Sequence, residues 1–291
     1  MKIGAVASFF APTVPPERLV MLASAMDQNG LDSIWFGEHV MLFDEMEFGY
    51  PGSPDGKLPV PEGCGVPDQA SIISYLASHT QTLRFGTSIS LIPQRNPIYT
   101  AKEFATLDWL TQGRIDLGVG VGWCKEEVVS CGYEWSDRGA RCDESLDLMG
   151  KLWRDPVTDH KGEHFTVEGA RMDPKPVNGS IPLIVGGFSD AALRRAAKFG
   201  QGWLGFGQDP KGLEMMLSRI DQHLADAGRS RDDFEIVLMP AVDDLDNAQV
   251  FKDMGVDRLT PMVMLDSDES VRARLEHLYR LRDAMALEKN K

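Results

Sequence analysis

The sequence predicts an α/β fold: a (β/α)8 barrel, or TIM barrel, with inserted loops, in a single domain that spans residues 1–291. Strand-like and helix-like patterns alternate along the chain, which is typical of a parallel sheet with helices outside it. Eight such units fit into 291 residues, which matches the repeat number and size of this barrel. The competing architecture is a doubly wound open sheet, which usually carries a glycine fingerprint on its first βα turn. Here the first strand leads into FFAPTVPPE, which cannot cradle a pyrophosphate in that way.

Each predicted unit is a buried apolar strand followed by a helix-like segment. The predicted strands are residues 2–8, 31–37, 83–91, 115–119, 181–187, 202–207, 234–240 and 257–265. The predicted helices are 16–29, 68–80, 97–110, 125–131, 138–153, 189–199, 210–227, 245–254 and 267–287. Gly30 is a natural stop for the first helix, and Asp68 is a natural cap for the second.

Two insertions interrupt this alternation. Residues 40–66 are rich in proline and glycine and predict a long inserted loop. Residues 154–180 predict a small extra hairpin and loop. Long loops in a compact domain are often functional, so the first insertion is a candidate lid.

Composition and charge exclude several classes of function. The net charge of −14 makes nucleic acid and anionic membrane surfaces unfavourable partners, so a small-molecule substrate is expected. The four cysteines contain no CxxC pair, which favours reduced thiols over disulfides or zinc. No Asp, Glu or His cluster has metal-ligand spacing, so no metal is expected. The N-terminal segment is not a signal peptide and no apolar run could span a bilayer, which predicts a cytoplasmic protein.

The run GRIDLGVGVGW at 113–123 is the most informative feature of the chain. A buried strand leads into Gly118, Gly120 and Gly122, and Trp123 closes the run. Glycines at the end of a parallel strand let the backbone approach a flat or charged ligand, because no Cβ stands in the way. The final aromatic residue suggests stacking on a ring.

The carboxyl ends of the predicted strands supply the other candidate residues. Glu38 and His39 close the second strand, where an imidazole could bind a ring carbonyl or transfer a proton. Alternatively, His39 only satisfies backbone groups at a strand end. The fifth strand ends in Gly186 and Gly187 before a helix, which can form an anion site or an ordinary βα turn.

Several segments together resemble the bacterial luciferase-like family of flavin and deazaflavin enzymes, most closely its branch that uses the deazaflavin F420. The segments are GLDSIWFGEH (30–39), LRFGTSISLIPQRNPIYTAKEFATLDWLTQGRIDLGVGVGW (83–123), RGARCDESLDLMGKLW (138–153), PKPV (174–177) and IPLIVGGFSDAALRRAAKFGQGW (181–203). The resemblance implies a (β/α)8 barrel with a cofactor ring at the carboxyl ends of its strands. It also implies a homodimer, formed by helices on the 68–110 side.

The resemblance also assigns individual residues. His39 would lie beside the ring as a catalytic residue, and Glu38, also a candidate catalytic residue, would approach the polar edge of the ring. A non-proline cis peptide, here Ser88–Ile89, would back the ring. The remaining residues of the implied cofactor site are Gly120, Val121, Gly122 and Trp123 along the tail, and Gly186, Gly187 and Phe188 at the phosphate.

The predicted function is that of an F420-dependent oxidoreductase, which transfers a hydride between the deazaflavin and a small organic substrate. The alternatives are an FMN-dependent luciferase-like monooxygenase and a cofactor-free binding barrel. The sequence departs from the sugar-phosphate dehydrogenase branch of the family at one position. Trp123 stands where that branch has a glutamate that acts as an acid. A sugar-phosphate substrate is therefore not expected.

Overall fold

A computed structural model describes residues 1–53 and 55–286, in which parallel strands form a barrel surrounded by helices. The strands are β1 (Lys2–Ile3), β2 (Ala5–Ser8), β3 (Ser33–Phe36), β4 (Arg84–Thr87), β5 (Ser90–Leu91), β6 (Ile115–Gly120), β7 (Thr158–Lys161), β8 (Thr166–Ala170), β9 (Leu183–Gly186), β10 (Gly202–Gln208), β11 (Glu235–Pro240), β12 (Arg258–Leu259) and β13 (Met262–Met264).

The helices follow the strands in regular alternation. They are α1 (Pro16–Gln28), α2 (Gln69–Ala77), α3 (Pro97–Thr111), α4 (Lys125–Ser130), α5 (Arg138–Arg154), α6 (Asp190–Phe199), α7 (Pro210–Asp226), α8 (Leu245–Asp253) and α9 (Asp268–Ala286). Asp68 caps α2 by accepting a hydrogen bond from the Ser71 amide at 2.8 Å, as the sequence indicates.

The sheet closes on itself through its first and last strands. β1 pairs with β12 and β2 pairs with β13, both in parallel, and the remaining barrel strands pair in parallel between them. Three of the eight strand positions of the barrel are each occupied by two short strands in succession: β1 and β2, β4 and β5, and β12 and β13. The predicted (β/α)8 barrel is confirmed. Each of these three positions was predicted as one strand, and a short irregular segment interrupts each of them.

The interior of the barrel is filled by side chains rather than open. Its inner cluster contains Val6, Trp35, Ile184, Leu204, Val237 and Met239. At the amino ends of the strands, Arg258 lies over the Trp35 ring and pairs with Asp116 at 2.7 Å. These groups seal the end of the barrel away from the predicted site.

The two insertions take different forms. The 40–66 loop has no helix or strand among its described residues and lies against α4 and the turn after it. Glu47 pairs with Lys125, and Phe48 stacks on Trp135 with ring centroids 5.9 Å apart. Residues 154–180 contain the antiparallel hairpin of β7 and β8. No helix in the described ranges is long and apolar enough to cross a membrane.

Candidate active site

His39 lies just beyond the carboxyl end of β3 and is held by a buried carboxylate. Its Nδ1 lies 3.0 Å from Oε2 of Glu127, and the Glu127 side chain has no exposed surface. Glu127 comes from α4, which follows the glycine-rich end of β6. The pair therefore joins the loop after β3 to the helix after β6. It lies at the carboxyl ends of the strands, which is where (β/α)8-barrel enzymes have their active sites.

Glu127 also anchors the beginning of the 40–66 loop. Its Oε1 accepts hydrogen bonds from the backbone amides of Val40 at 2.5 Å and Met41 at 3.3 Å. Burial acts to raise the pKa of the Glu127 carboxyl, but the contacts with His39 and Val40 outweigh burial and hold it below the usual range. An ionised Glu127 accepts the Nδ1 proton of His39, which leaves Nε2 free to exchange a proton with a ligand.

Glu38 is buried and its carboxylate has protein partners on both oxygens. Its Oε1 accepts from Arg95, with Nε at 2.9 Å, and its Oε2 accepts from the Leu91 amide at 2.5 Å. Glu38 thus ties the end of β3 to the segment that follows β5. These contacts fix the Glu38 carboxylate in position, and its predicted catalytic role stays a prediction.

The peptide bond between Ser88 and Ile89 is cis in the structure, as the resemblance implies. The Ser88 amide donates to the Phe36 carbonyl at 2.7 Å, so this segment lies beside the end of β3 and the residues that lead to His39. Within the described part of the chain, Ser88 Oγ is buried without a hydrogen-bond partner. A buried hydroxyl of this kind is suited to a ligand at the barrel mouth.

The glycines of the β6 end have a packing reason as well as a predicted binding role. A Cβ on Gly120 would lie 1.9 Å from Cδ1 of Ile89, and one on Gly186 would lie 3.0 Å from Cγ2 of the same side chain. Both glycines therefore make room for Ile89. Val121 and Gly122 are partly exposed, and Gly122 has a φ of +75° that favours glycine.

The turn between β9 and α6 is the predicted anion site. Gly187 has a φ of +119°, Phe188 is exposed, and Ser189 caps α6 by accepting from the Ala192 amide at 3.2 Å. The Trp203 indole donates to the Gly187 carbonyl at 2.8 Å and fixes the turn. The amino end of α6 is thus presented at the barrel mouth, where helix amides favour a negatively charged group.

Trp123 forms a wall of a cavity of about 530 Å³ beneath the 40–66 loop, which we call the loop cavity. Its ring packs edge-on against His39, with centroids 5.5 Å apart, and lies 5.4 Å from the ring of Tyr50. His39 lines the same cavity. A second cavity of about 890 Å³ lies at the amino ends of the strands, around Lys2, Asp32 and Glu235. It is far from the predicted site, and that end of such barrels serves stability.

The donor set at the barrel mouth fits a flat organic cofactor with an anionic tail. The unpartnered Ser88 hydroxyl, the Ser88–Ile89 segment and the β6 glycines form one surface, and the α6 end offers amides to an anion. Across residues 1–53 and 55–286, no group of three or more His, Cys, Asp or Glu is placed to hold a metal ion. The four cysteines, all in these ranges, are free thiols.

Comparison with known proteins defines the family. The luciferase-like monooxygenase family profile matches residues 1–254, so the chain belongs to this family of enzymes. An uncharacterised protein of Mycobacterium tuberculosis is 30% identical over 211 residues, which are 72% of this chain and 73% of that protein. A 5,10-methylenetetrahydromethanopterin reductase of Archaeoglobus fulgidus is 32% identical over 167 residues, 57% of this chain and 49% of the reductase.

A solved structure extends the fold comparison to nearly the whole chain. An F420-dependent secondary alcohol dehydrogenase, in complex with an F420-acetone adduct, superimposes with a TM-score of 0.79 at 18% identity. The match covers 97% of this chain and 98% of that one. At this identity the likeness establishes the fold, and the resemblance noted in the sequence is confirmed.

Sequence reasoning missed two residues of the site. Glu127, the partner of His39, lies 88 positions away in the chain. Arg95, the partner of Glu38, lies 57 positions away. A signal for Glu127 was present, since it is an acidic residue in the first turn of the helix that follows the glycine-rich strand. Only β4 lies between β6 and β3 in the barrel, so the helix that follows β6 begins close to the end of β3.

Proposed function

We propose that this protein is an F420-dependent oxidoreductase that transfers a hydride between the deazaflavin and a small organic substrate. One observation carries the proposal: His39, held by buried Glu127, lies between the surface around Ser88–Ile89 and the loop cavity. A cofactor ring on the Ser88–Ile89 surface and a substrate in the loop cavity would then both lie beside the His39 imidazole. The F420-dependent relatives support the same function.

The roles of the protein residues follow from their contacts. Bound F420 would supply the hydride chemistry at its ring. The Ser88–Ile89 segment would support the ring, and the amides of Gly187 and Phe188 would hold the anionic tail. His39 Nε2 would hold or move the proton of the substrate oxygen, and the 40–66 loop would exclude water.

Cofactor titration tests the proposal. Purified apo protein is titrated with oxidised F420 and, separately, with FMN, and cofactor fluorescence is followed. The proposal predicts binding of F420 in the micromolar range and weaker binding of FMN. Preference for FMN, with oxygen consumption on reduction, would instead assign the protein to the oxygen-activating monooxygenases. Binding of neither cofactor would leave a binding barrel and overturn the proposal.

A matched pair of glycine variants tests the tail site. A Cβ on Gly187 would lie 2.9 Å from Cβ of Ala192 in α6, so Gly187→Ala must shift the turn. Gly228 also has a positive φ, of +69°, but an added Cβ meets nothing within 4 Å. We expect Gly187→Ala to weaken F420 binding about tenfold, the effect of losing roughly one charge-assisted hydrogen bond, and Gly228→Ala to leave it unchanged.

We also propose that the protein is a homodimer and that it works in the cytoplasm. The support for a dimer is an exposed apolar surface on α2 and α3. Tyr99 is 79% exposed, Leu110 59% and Trp109 57%, and Tyr75 on α2 is 45% exposed. Large apolar side chains exposed on two helices that pack against each other are typical of a protein interface.

A further inference from the structure

We propose that the loop cavity selects an uncharged substrate that carries one carbonyl or hydroxyl oxygen on an apolar, ring-sized body, and that it rejects carboxylates and phosphates. This inference rests on the proposed function, because it takes the cavity beside His39 as the place of the reacting substrate.

Apolar side chains form a large part of the cavity wall, beside a smaller number of charged ones. The apolar side chains contributed by the 40–66 loop include Met41, Leu42, Phe43, Met46, Leu58 and Val60. Trp123 forms the cavity wall on the side of the barrel, and its ring packs against the ring of Tyr50. An apolar surface of this kind stabilises an apolar ligand by removing both from water, and methionines adapt to ligands of different shape. The cavity volume of about 530 Å³ is that of an ordinary small-molecule site.

The charges around the cavity disfavour an anion. Asp44 and Glu62 line it directly, together with Lys57. The 40–66 loop contains five acidic residues and one basic residue. Lys125, which lies close by on α4, is already paired with Glu47 of the loop. Two carboxylates against one lysine leave the lining with a net negative charge, so a carboxylate or phosphate would meet more like charge than opposite charge.

One polar group serves the inner side of the cavity. His39 has its Nδ1 on Glu127, so its remaining nitrogen is the group that can meet a substrate oxygen. Burial raises the pKa of the Cys124 thiol, another lining group, so this thiol stays neutral. Next to the apolar Trp123 ring, this one nitrogen on the inner side matches a ligand with one carbonyl or hydroxyl oxygen. It does not match the several oxygens of a phosphate.

Isothermal titration calorimetry with two matched probes tests the inference. Benzylacetone is an uncharged ketone, and hydrocinnamate has the same skeleton with its methyl group replaced by a carboxylate oxygen. Each is titrated into the full chain without cofactor and again with saturating F420. We expect benzylacetone to bind at least about tenfold more tightly than hydrocinnamate in both states. Equal affinity, tighter binding of hydrocinnamate, or no measurable binding of benzylacetone would overturn the inference.

Three further variants keep the test independent of folding. Met46→Asp adds a charge to the cavity wall, and Met215→Asp makes the same change on exposed α7. The first should abolish benzylacetone binding and the second should not change it. The double variant Asp44→Asn and Glu62→Gln removes like charge without changing shape, and it should strengthen hydrocinnamate binding severalfold. No change in hydrocinnamate affinity would contradict the charge argument.

The inference and the proposed function fail in distinguishable ways. A protein that binds F420 but does not discriminate between the two probes refutes the substrate class alone. A protein that discriminates between the probes but binds no F420 refutes the proposed function, and it leaves an apolar binding site.

Discussion

Replacement of Glu127 by glutamine tests the central contact of the site. The side chain keeps its size, so the change acts on hydrogen bonding rather than packing. In the structure, Oε1 of Glu127 accepts from the amides of Val40 and Met41, and Oε2 faces Nδ1 of His39. The two amides can only donate, so the single oxygen of Gln at this position must turn towards them. Its NH2 group then faces His39 and donates to Nδ1.

The expected consequence is a change of His39 tautomer. In the natural protein the carboxylate accepts from Nδ1–H, and a hydrogen bond to a charged group contributes about 1.5–3 kcal/mol. At about 1.36 kcal/mol per factor of ten, this favours the Nδ1–H tautomer by roughly 10- to 150-fold. The Glu127→Gln variant should reverse the preference and place the proton on Nε2. Turnover should fall by a similar factor, as when the partner of a functional histidine is removed.

Nitrogen-15 NMR of the imidazole ring measures this directly. The chain has six histidines, and a His39→Gln variant identifies the signals of His39 by their loss. Glu126→Gln is the matched control, because Glu126 is the preceding residue of α4 and its Oε1 accepts from the Glu47 amide instead. The control should keep the Nδ1–H pattern. The same tautomer in the natural protein and in Glu127→Gln would refute the assignment of Glu127 as the residue that orients His39.

Three further predictions concern stability and assembly. Gly118→Ala would place a Cβ 1.7 Å from a backbone oxygen of the neighbouring strand, so urea unfolding should report a loss of about 3 kcal/mol, whereas Gly65→Ala, with open space around it, should be neutral. Asp116→Asn leaves Arg258 buried with less compensation, and the unfolding free energy should fall by about 3–5 kcal/mol. The pairing with arginine depresses the pKa of Asp116 below its ordinary value of 3.8. The stabilisation that ionised Asp116 provides is therefore fully present above pH 3.8 and is lost as the pH falls through the pKa of Asp116 in the folded protein. The unfolding free energy of the variant, measured by urea titration at several pH values, should therefore fall less steeply towards acidic pH than that of the natural protein. Tyr99→Glu should convert a dimer into a monomer in light scattering, and an unchanged mass would contradict the proposed interface.

The barrel was predictable from sequence because its signal is repeated along the chain. Alternating apolar strands and helices fix the fold class without detailed knowledge of any one contact. The breaks within the first, third and eighth strands were not predicted, because strand-like residues resume directly after each break; in the eighth strand, Pro261 was a signal that the prediction did not use. At Ser88–Ile89 the residue pattern alone reads as a continuous strand, and only the resemblance to a known family indicated a special peptide bond there.

The individual contacts of the site were less predictable than its location. The adjacent residues Glu38 and His39 were both assigned catalytic roles, yet the structure gives them different partners, Arg95 and Glu127. Both partners are far away in the chain, and a single sequence does not reveal such pairs. Gly120 illustrates the same limit, because the missing Cβ accommodates Ile89. Sequence alone indicates that space is needed, but not which neighbour occupies it.

A crystal structure of the protein with bound F420 would test the account most directly. The account predicts that the ring lies against the Ser88–Ile89 segment with its reacting face towards His39 and the loop cavity. It predicts that the anionic tail reaches the amides of Gly187 and Phe188 at the start of α6. A cofactor bound outside this end of the barrel, or bound with His39 away from the ring, would contradict the proposed site and the mechanism derived from it.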